Sequence, residues 1–262
     1  MLKIRQLISS IFVYVFIIVS SANASLALFD ETTDTIAVNG QTMLGDAFTI
    51  EVGLIFTAEY GAYGSIFNEW LRKAEDKYLG AGPNQVVGYA YGLSASSNSI
   101  YLESDLDLGQ RHHLAFVYDG TQEKIYIDGQ LEGSRSNSGN VRNSPGGPFI
   151  GAIYRDGGIR TSFIGYIDYL RISNSARYVG SNFTPAIGEL VSDPDTVLLY
   201  NFNESPGSEI VYDHSGNGNH GRLGLGFSSA TSPQLVASVP IPSAISVFGI
   251  GLLGLAVSRR KG

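Results

Sequence analysis

The chain has 262 residues, 17 Lys+Arg against 24 Asp+Glu, and a formal net charge of −7. With 44% hydrophobic and only 16% charged residues it is no disordered tail, its 32 glycines have no collagen period, and the acidic balance disfavours nucleic acid as a partner. There is no cysteine, so disulfides, thiolate metal sites and thiol nucleophiles are excluded.

In chain order, residues 1–24 read as a secretory signal helix. Lys3 and Arg5 form a basic start, Leu7 to Val19 is apolar, and Ala22-Asn23-Ala24 offers the small residues of a cleavage site after Ala24. Residues 25–227 then read as one all-β domain, with short β-rich runs punctuated by Gly, Asn, Asp and Ser. Ala47–Phe56 is the first strong run. Ser65–Lys77 is either a short helix or a strand pair with a polar loop. Leu114–Tyr118 and Lys124–Asp128 are strands, and Asp128-Gly129 is a tight-turn signal leading into Gln130-Leu131-Glu132. Phe149–Tyr154, Phe163–Ser173 and Val197–Phe202 follow. In Phe163–Ser173 strict alternation puts Ile164, Tyr166, Asp168 and Leu170 on one side and Phe163, Gly165, Ile167, Tyr169 and Arg171 on the other. The Ser-rich residues 228–238 read as a spacer.

The C-terminal residues 239–262 have three parts. Val239-Pro240-Ile241-Pro242-Ser243-Ala244 precedes the apolar stretch Ile245–Val257, and Arg259-Arg260-Lys261 closes the chain. A helix from Ser243 to Arg260 would be about 27 Å long, enough for a thin bilayer, with the basic end in the cytoplasm. Setting aside the five basic residues of the two ends (Lys3, Arg5, Arg259, Arg260, Lys261) leaves 12 basic and 24 acidic residues, a body of net charge −12. Such a body suits solubility outside the cell and makes a divalent cation a plausible companion.

The tail resembles the PEP-CTERM class of bacterial sorting signals, in its VPLPA-type variant because Ile241 stands where the main motif has Glu. The resemblance implies export, transient anchoring in the inner membrane, and processing by an exosortase-like protease, with the protein ending at the cell surface or outside. The body resembles the laminin-G-like, concanavalin-A-like jelly rolls. Gln110–Gly120 (QRHHLAFVYDG) and Lys124–Gly129 (KIYIDG) look like that family's hairpin, with Arg111 where Trp is usual. Gly165–Ser173, Ala176-Arg177-Tyr178 and Asn182-Phe183-Thr184-Pro185 look like its "RIS…ARY…NFTP" segment. Leu198–Phe202 and Asp213–Gly221 (DHSGNGNHG) look like its end. The resemblance implies two packed antiparallel sheets, one concave.

Both sugar-cleaving enzymes and lectins use such a fold, so the site must decide. A glycosidase needs two close carboxylates, and the acidic row Glu103, Asp105, Asp107 is the candidate, opposed by a solvated strand edge. His112 and His113 point to opposite faces of a strand and suit packing or hydrogen bonding rather than joint chelation. Asp213, Asn217 and Asn219 offer hard oxygens for Ca²⁺, or else a self-capped turn; Asp168 is a second candidate ligand. For sugar stacking, Tyr60, Tyr63, Tyr89, Tyr91 and Tyr154 flank Gly-rich turns. The reading is an exported, non-enzymatic binding or adhesion module for glycan or exopolysaccharide. A polysaccharide hydrolase or lyase and a purely structural matrix protein are the alternatives.

Overall fold

In the computed structural model the described residues are 25–237, apart from 41, 43, 59–62, 72–73, 91, 94–98, 144–146, 156–157 and 225–229. The expected signal helix, with Ala24, and the tail, with Val239 to Ala244 and Arg259 to Lys261, lie outside them. No helix among the described residues is long and apolar enough to cross a membrane.

The described strands, in chain order, are β1 (Ser25–Phe29), β2 (Ile36–Val38), β3 (Phe48–Phe56), β4 (Gly64–Leu71), β5 (Ala74–Gly82), β6 (Gln85–Ala90), β7 (Ser99–Glu103), β8 (Arg111–Tyr118) and β9 (Gln122–Ile127). They continue as β10 (Gln130–Ser136), β11 (Phe149–Ile150), β12 (Ala152–Arg155), β13 (Gly158–Ser162), β14 (Gly165–Ser173), β15 (Thr196–Tyr200), β16 (Ile210–Val211), β17 (Gly221–Leu223) and β18 (Gln234–Ala237). Sheet I runs β10-β9-β8-β3-β14-β1-β18, with β15 sharing the edge of β14. Sheet II runs β16-β17-β2-β11-β4-β5-β6-β7, and β12-β13 is a separate hairpin. All strand pairs are antiparallel, the arrangement expected of a jelly-roll sandwich.

The core lies between the sheets. Phe48, Ile50, Val52 and Leu54 of β3 interleave with Leu114, Phe116 and Tyr118 of β8 from sheet I. Ile66, Leu79, Val86 and Ile100 close it from sheet II. Each such side chain contributes about 1.5–3 kcal/mol by leaving water. Asp128 and Gly129 carry φ of 49° and 81°, the two positive values a type I′ hairpin turn requires, so the Asp-Gly signal is realised between β9 and β10.

Of the two readings of Ser65–Lys77, the strand pair is the one that forms, in the β4–β5 hairpin. Three expectations change in the structure. Phe149–Tyr154 is not one strand. Gly151, at φ +97°, turns the chain out of sheet II, and a Cβ there would lie 2.3 Å from the Phe29 ring. The alternation of β14 breaks at Asp168, because the register with β3 shifts between Ile167 and Tyr169. This bulge returns Leu170 and Ile172 to the core with Ile167, while Tyr169 and Arg171 stay outside. Finally, residues 234–237, expected in a spacer, form β18. Leu235 is buried and Gln234 to Ala237 pair with β1. Four residues inside a Ser/Thr-rich stretch are too few to announce a strand by alternation.

Candidate functional site

Each sheet has an outer face, and the two are furnished differently. On sheet II the side chains opposite the core come from alternate residues of β5, β6 and β7. Tyr78 is directly across from Tyr89, and Gly80 from Val87. Val87 is in turn across from Tyr101, and Gln85 from Glu103. Residues so paired share a face, so Tyr78, Tyr89 and Tyr101 form a diagonal of rings with neighbouring Cβ atoms about 5–8 Å apart. Tyr63 joins them, its ring 6.3 Å from that of Tyr78 and edge-on at 68°.

Gly80 makes this surface possible. A Cβ at that position would come within 2.2 Å of the Tyr78 hydroxyl, so the absence of a side chain lets the Tyr78 ring lie down over the strand. Val87 and Ile153 pack against Tyr78, and Tyr63 and Tyr89 lean on the same cluster. Ile153 belongs to the β12-β13 hairpin, which rises beside the tyrosines as a wall. Buried Asn68 holds that wall by donating to the carbonyls of Ala152 at 2.8 Å and Phe149 at 3.3 Å. At the other side the surface is open: Tyr101 is 57% exposed. Flat rings beside Gln85 and Glu103 offer what a sugar needs, apolar faces for C–H groups and polar atoms for hydroxyls.

The acidic row does not form on this face. Glu103 ends β7, while Asp105 and Asp107 follow it in an exposed loop. The chain there turns against the 83–84 bend, with Leu106 N–H donating to the Pro83 carbonyl at 2.8 Å and Leu106 itself buried. Glu103 on its strand and Asp105 and Asp107 in the loop therefore do not form one row on a strand face.

On sheet I the outer face is sealed. Residues 174–195 cross it without regular structure, anchored on Glu51, which is 1% exposed. Its carboxylate receives Arg171 Nε at 2.7 Å and the Tyr178 hydroxyl at 2.7 Å, with His113 Nε2 at 3.2 Å. Burial pushes the Glu51 carboxyl up, but the His113 contact and the Arg171 charge outweigh it and hold the group below its ordinary value. Burial and the Glu51 charge together push the Tyr169 and Tyr178 hydroxyls well up. Tyr178 stacks on Phe183 at 3.6 Å, and Arg177 grips Asp193 through two bonds of 2.7 and 2.6 Å. The "RIS…ARY…NFTP" residues are thus the fastenings of a strap. His112 and His113 do serve opposite partners: His112 Nδ1 lies 2.8 Å from Asp128 on one side, and His113 meets Glu51 on the other.

The structure brings Asp213, Asn217 and Asn219 together, but as a turn that satisfies itself. The Asp213 carboxylate accepts from Leu199 N at 3.0 Å, Ser215 N at 2.9 Å, Ser215 Oγ at 2.7 Å and Asn219 N at 3.0 Å. The side-chain amides of Asn217 and Asn219 donate to the Val197 carbonyl at 3.0 and 3.1 Å. Asn217 and Asn219, but not Asp213, border an open cleft of about 570 Å³ with Asn174 and Asp193. A cation there would have to displace N–H and O–H donors from Asp213, so the residues as placed do not fit Ca²⁺. Asp168 is engaged by Arg111, at 2.8 Å from both Nε and Nη2. No group of three or more His, Asp or Glu placed to hold a metal occurs among the described residues.

Of the tyrosines singled out in the sequence, Tyr63 and Tyr89 fall in the cluster, Tyr154 lies on β12, and Tyr60 and Tyr91 are outside the described residues. Tyr78 and Tyr101 were missed, because cross-strand register, not proximity to glycine turns, places them together. Glu51 was missed too, although a lone acid inside FTIEVGLIF was a signal that a cation must meet it.

Residues 30–179 match the family profile of the concanavalin A-like lectin/glucanases superfamily, in its laminin G form. The chain belongs to that superfamily. No curated protein sequence matches it. Among solved structures it is similar to a protein from Bacteroides ovatus described as a candidate carbohydrate binding protein, at 16% identity and a TM-score of 0.61, over 80% of this chain and 61% of that one. The chain therefore spans under two thirds of that relative. Weaker likenesses, which carry no argument, are the heptameric SAP-like pentraxin of Limulus polyphemus (18% identity, TM-score 0.46, 60% of this chain and 78% of that one) and mouse laminin α1 domains LG4-5 (14%, 0.47, 62% and 47%).

Proposed function

We propose that this is an exported, non-enzymatic glycan-binding module whose ligand surface is the tyrosine face of sheet II. The observation that carries the reading is the row Tyr78, Tyr89 and Tyr101 laid out by strand register, with Tyr63 packed on the buried Tyr78, the row opening to solvent at Tyr101 and walled by the β12-β13 hairpin. Membership of a lectin and glucanase superfamily and the likeness to the Bacteroides ovatus protein are consistent with it. In this reading an envelope or matrix exopolysaccharide is the ligand. Cleavage after Ala24 releases the body. The segment Val239–Ala244 with its apolar stretch and Arg259–Lys261 is a PEP-CTERM-type tail that anchors the chain in the inner membrane until an exosortase-like protease processes it. In this reading ligand binding does not depend on Ca²⁺, since the Asp213 carboxylate already accepts four hydrogen bonds.

A glycan array probed with the body, residues 25–237, with and without EDTA, tests the proposal. It expects binding to extended polysaccharides that EDTA leaves unchanged. Absence of binding in both conditions would overturn it and leave the structural matrix role. Depolymerisation of a bound polysaccharide would also overturn it, in favour of the enzyme.

A further inference from the structure

We infer that before its tail is processed the body is held with the β18 edge of sheet I against the membrane, and with the β10 edge pointing away from it. The inference rests on the anchoring tail proposed above. Its own support is the pairing of the two ends. Ser25, the first residue after Ala24, is the register partner of Ala237, two residues before the tail begins at Val239. The described body therefore begins and ends at one place, where β1 and β18 meet at that edge of sheet I. That is what the topology of the two apolar segments requires, since a signal cleavage site and the entry of a helix with a cytoplasmic C-terminus are both on the outer side of the bilayer.

The tether is short. Six Cα steps separate Ala237 from Ser243, at most about 22 Å when extended. β18 cannot peel away cheaply to lengthen it, because Leu235 is in the core and all four residues pair with β1. The body is thus confined near the lipid by its β18 edge. β10 is the opposite edge, six strands away, which at ~4.8 Å per strand is roughly 29 Å along the sheet. The arrangement also shields an edge strand whose unpaired N–H and C=O groups would otherwise invite pairing with another chain.

The absence of cysteine makes the test clean. Gln234→Cys on β18 and Ser134→Cys on β10, both at exposed positions, are each labelled with a fluorescent donor in the chain that retains its tail. The labelled chains are then inserted into phosphatidylethanolamine/phosphatidylglycerol vesicles carrying a headgroup acceptor. Flotation of the protein with the vesicles checks the anchor itself. Energy transfer is expected to be about two-fold or more higher from position 234 than from 134, given edges roughly 29 Å apart. A flexible Gly/Ser insertion after Ala237 should bring the two values together. Equal transfer from both positions in a chain that floats with the vesicles would overturn the orientation while leaving the tail reading intact. A chain that does not float would overturn the tail reading, and the orientation with it.

Discussion

The two outer faces of the sandwich begin from the same kind of material, alternate residues of antiparallel strands, and end differently. On sheet I the alternate residues include Glu51, His113 and Arg171, a buried charge with its partners, and a strap covers them. On sheet II they include Tyr78, Val87, Tyr89 and Tyr101; among the described residues a two-stranded hairpin stands beside them, Tyr78 and Val87 are buried, and Tyr101 is open. A buried carboxylate demands partners from every direction, so the first face is committed to stability. Amphipathic rings tolerate water at one edge, so the second can remain open for a ligand. The motif-rich segments of the sequence belong mostly to the closed face, and the surface we assign to function carries none of them.

This contrast can be broken from either side. Glu51→Ala should be the most damaging change. It leaves Arg171 and Tyr178 without their acceptor under the strap and is expected to cost about 3–5 kcal/mol in a denaturant melt, while any folded fraction still binds glycan. Gly80→Ala should act on the other face. The added methyl group forces the Tyr78 ring aside, at a cost of about 1–3 kcal/mol in stability, and glycan affinity should fall with it. Tyr101→Ala should separate the two properties: a stability change within about 0.5 kcal/mol and a tenfold weaker Kd, the loss of about 1.4 kcal/mol of contact.

Acid should loosen the sheet I side first. At the β8–β9 turn, burial pushes the Asp119 carboxyl up, but hydrogen bonds from Lys124 and Thr121 outweigh it and hold it at about 2, below its ordinary 3.8. Arg177 likewise holds the Asp193 carboxyl well down at the strap. Groups depressed in this way contribute stability that is complete above the unfolded value and lost as pH falls through the folded one. Melting temperature should therefore decline from about pH 4 toward pH 2, and Asp119→Asn should make that decline shallower. The smallest effect expected is none: EDTA should leave both the melting temperature and glycan retention unchanged.

How much of this was legible in the sequence follows from the physics of each signal. Strands with long apolar runs, such as LAFVY and KIYID, declare themselves locally, and so does the Asp-Gly turn, whose φ values only a few residue types accept. The bulge at Asp168 does not, because an extra residue in one strand is visible only against its partner β3. Nor does the tyrosine face, since Tyr78, Tyr89 and Tyr101 meet through pairing of three strands. The 213–219 loop shows the converse: the residue types that would serve a cation also serve a capped turn, and only the directions of their donors separate the two. The acidic row alternates like one strand face, but the strand ends at Glu103, and Asp105 and Asp107 follow in a loop.

The central claim is that polysaccharide is bound on the open face of sheet II. The direct measurement is affinity electrophoresis of the body, residues 25–237, through gels containing the exopolysaccharide of its own host, alongside the Tyr89→Ala/Tyr101→Ala double variant. The account predicts retardation of the unaltered protein and its loss in the double variant, with near-UV circular dichroism preserved apart from the two missing rings. Equal retardation of both proteins would place the ligand elsewhere and contradict the account.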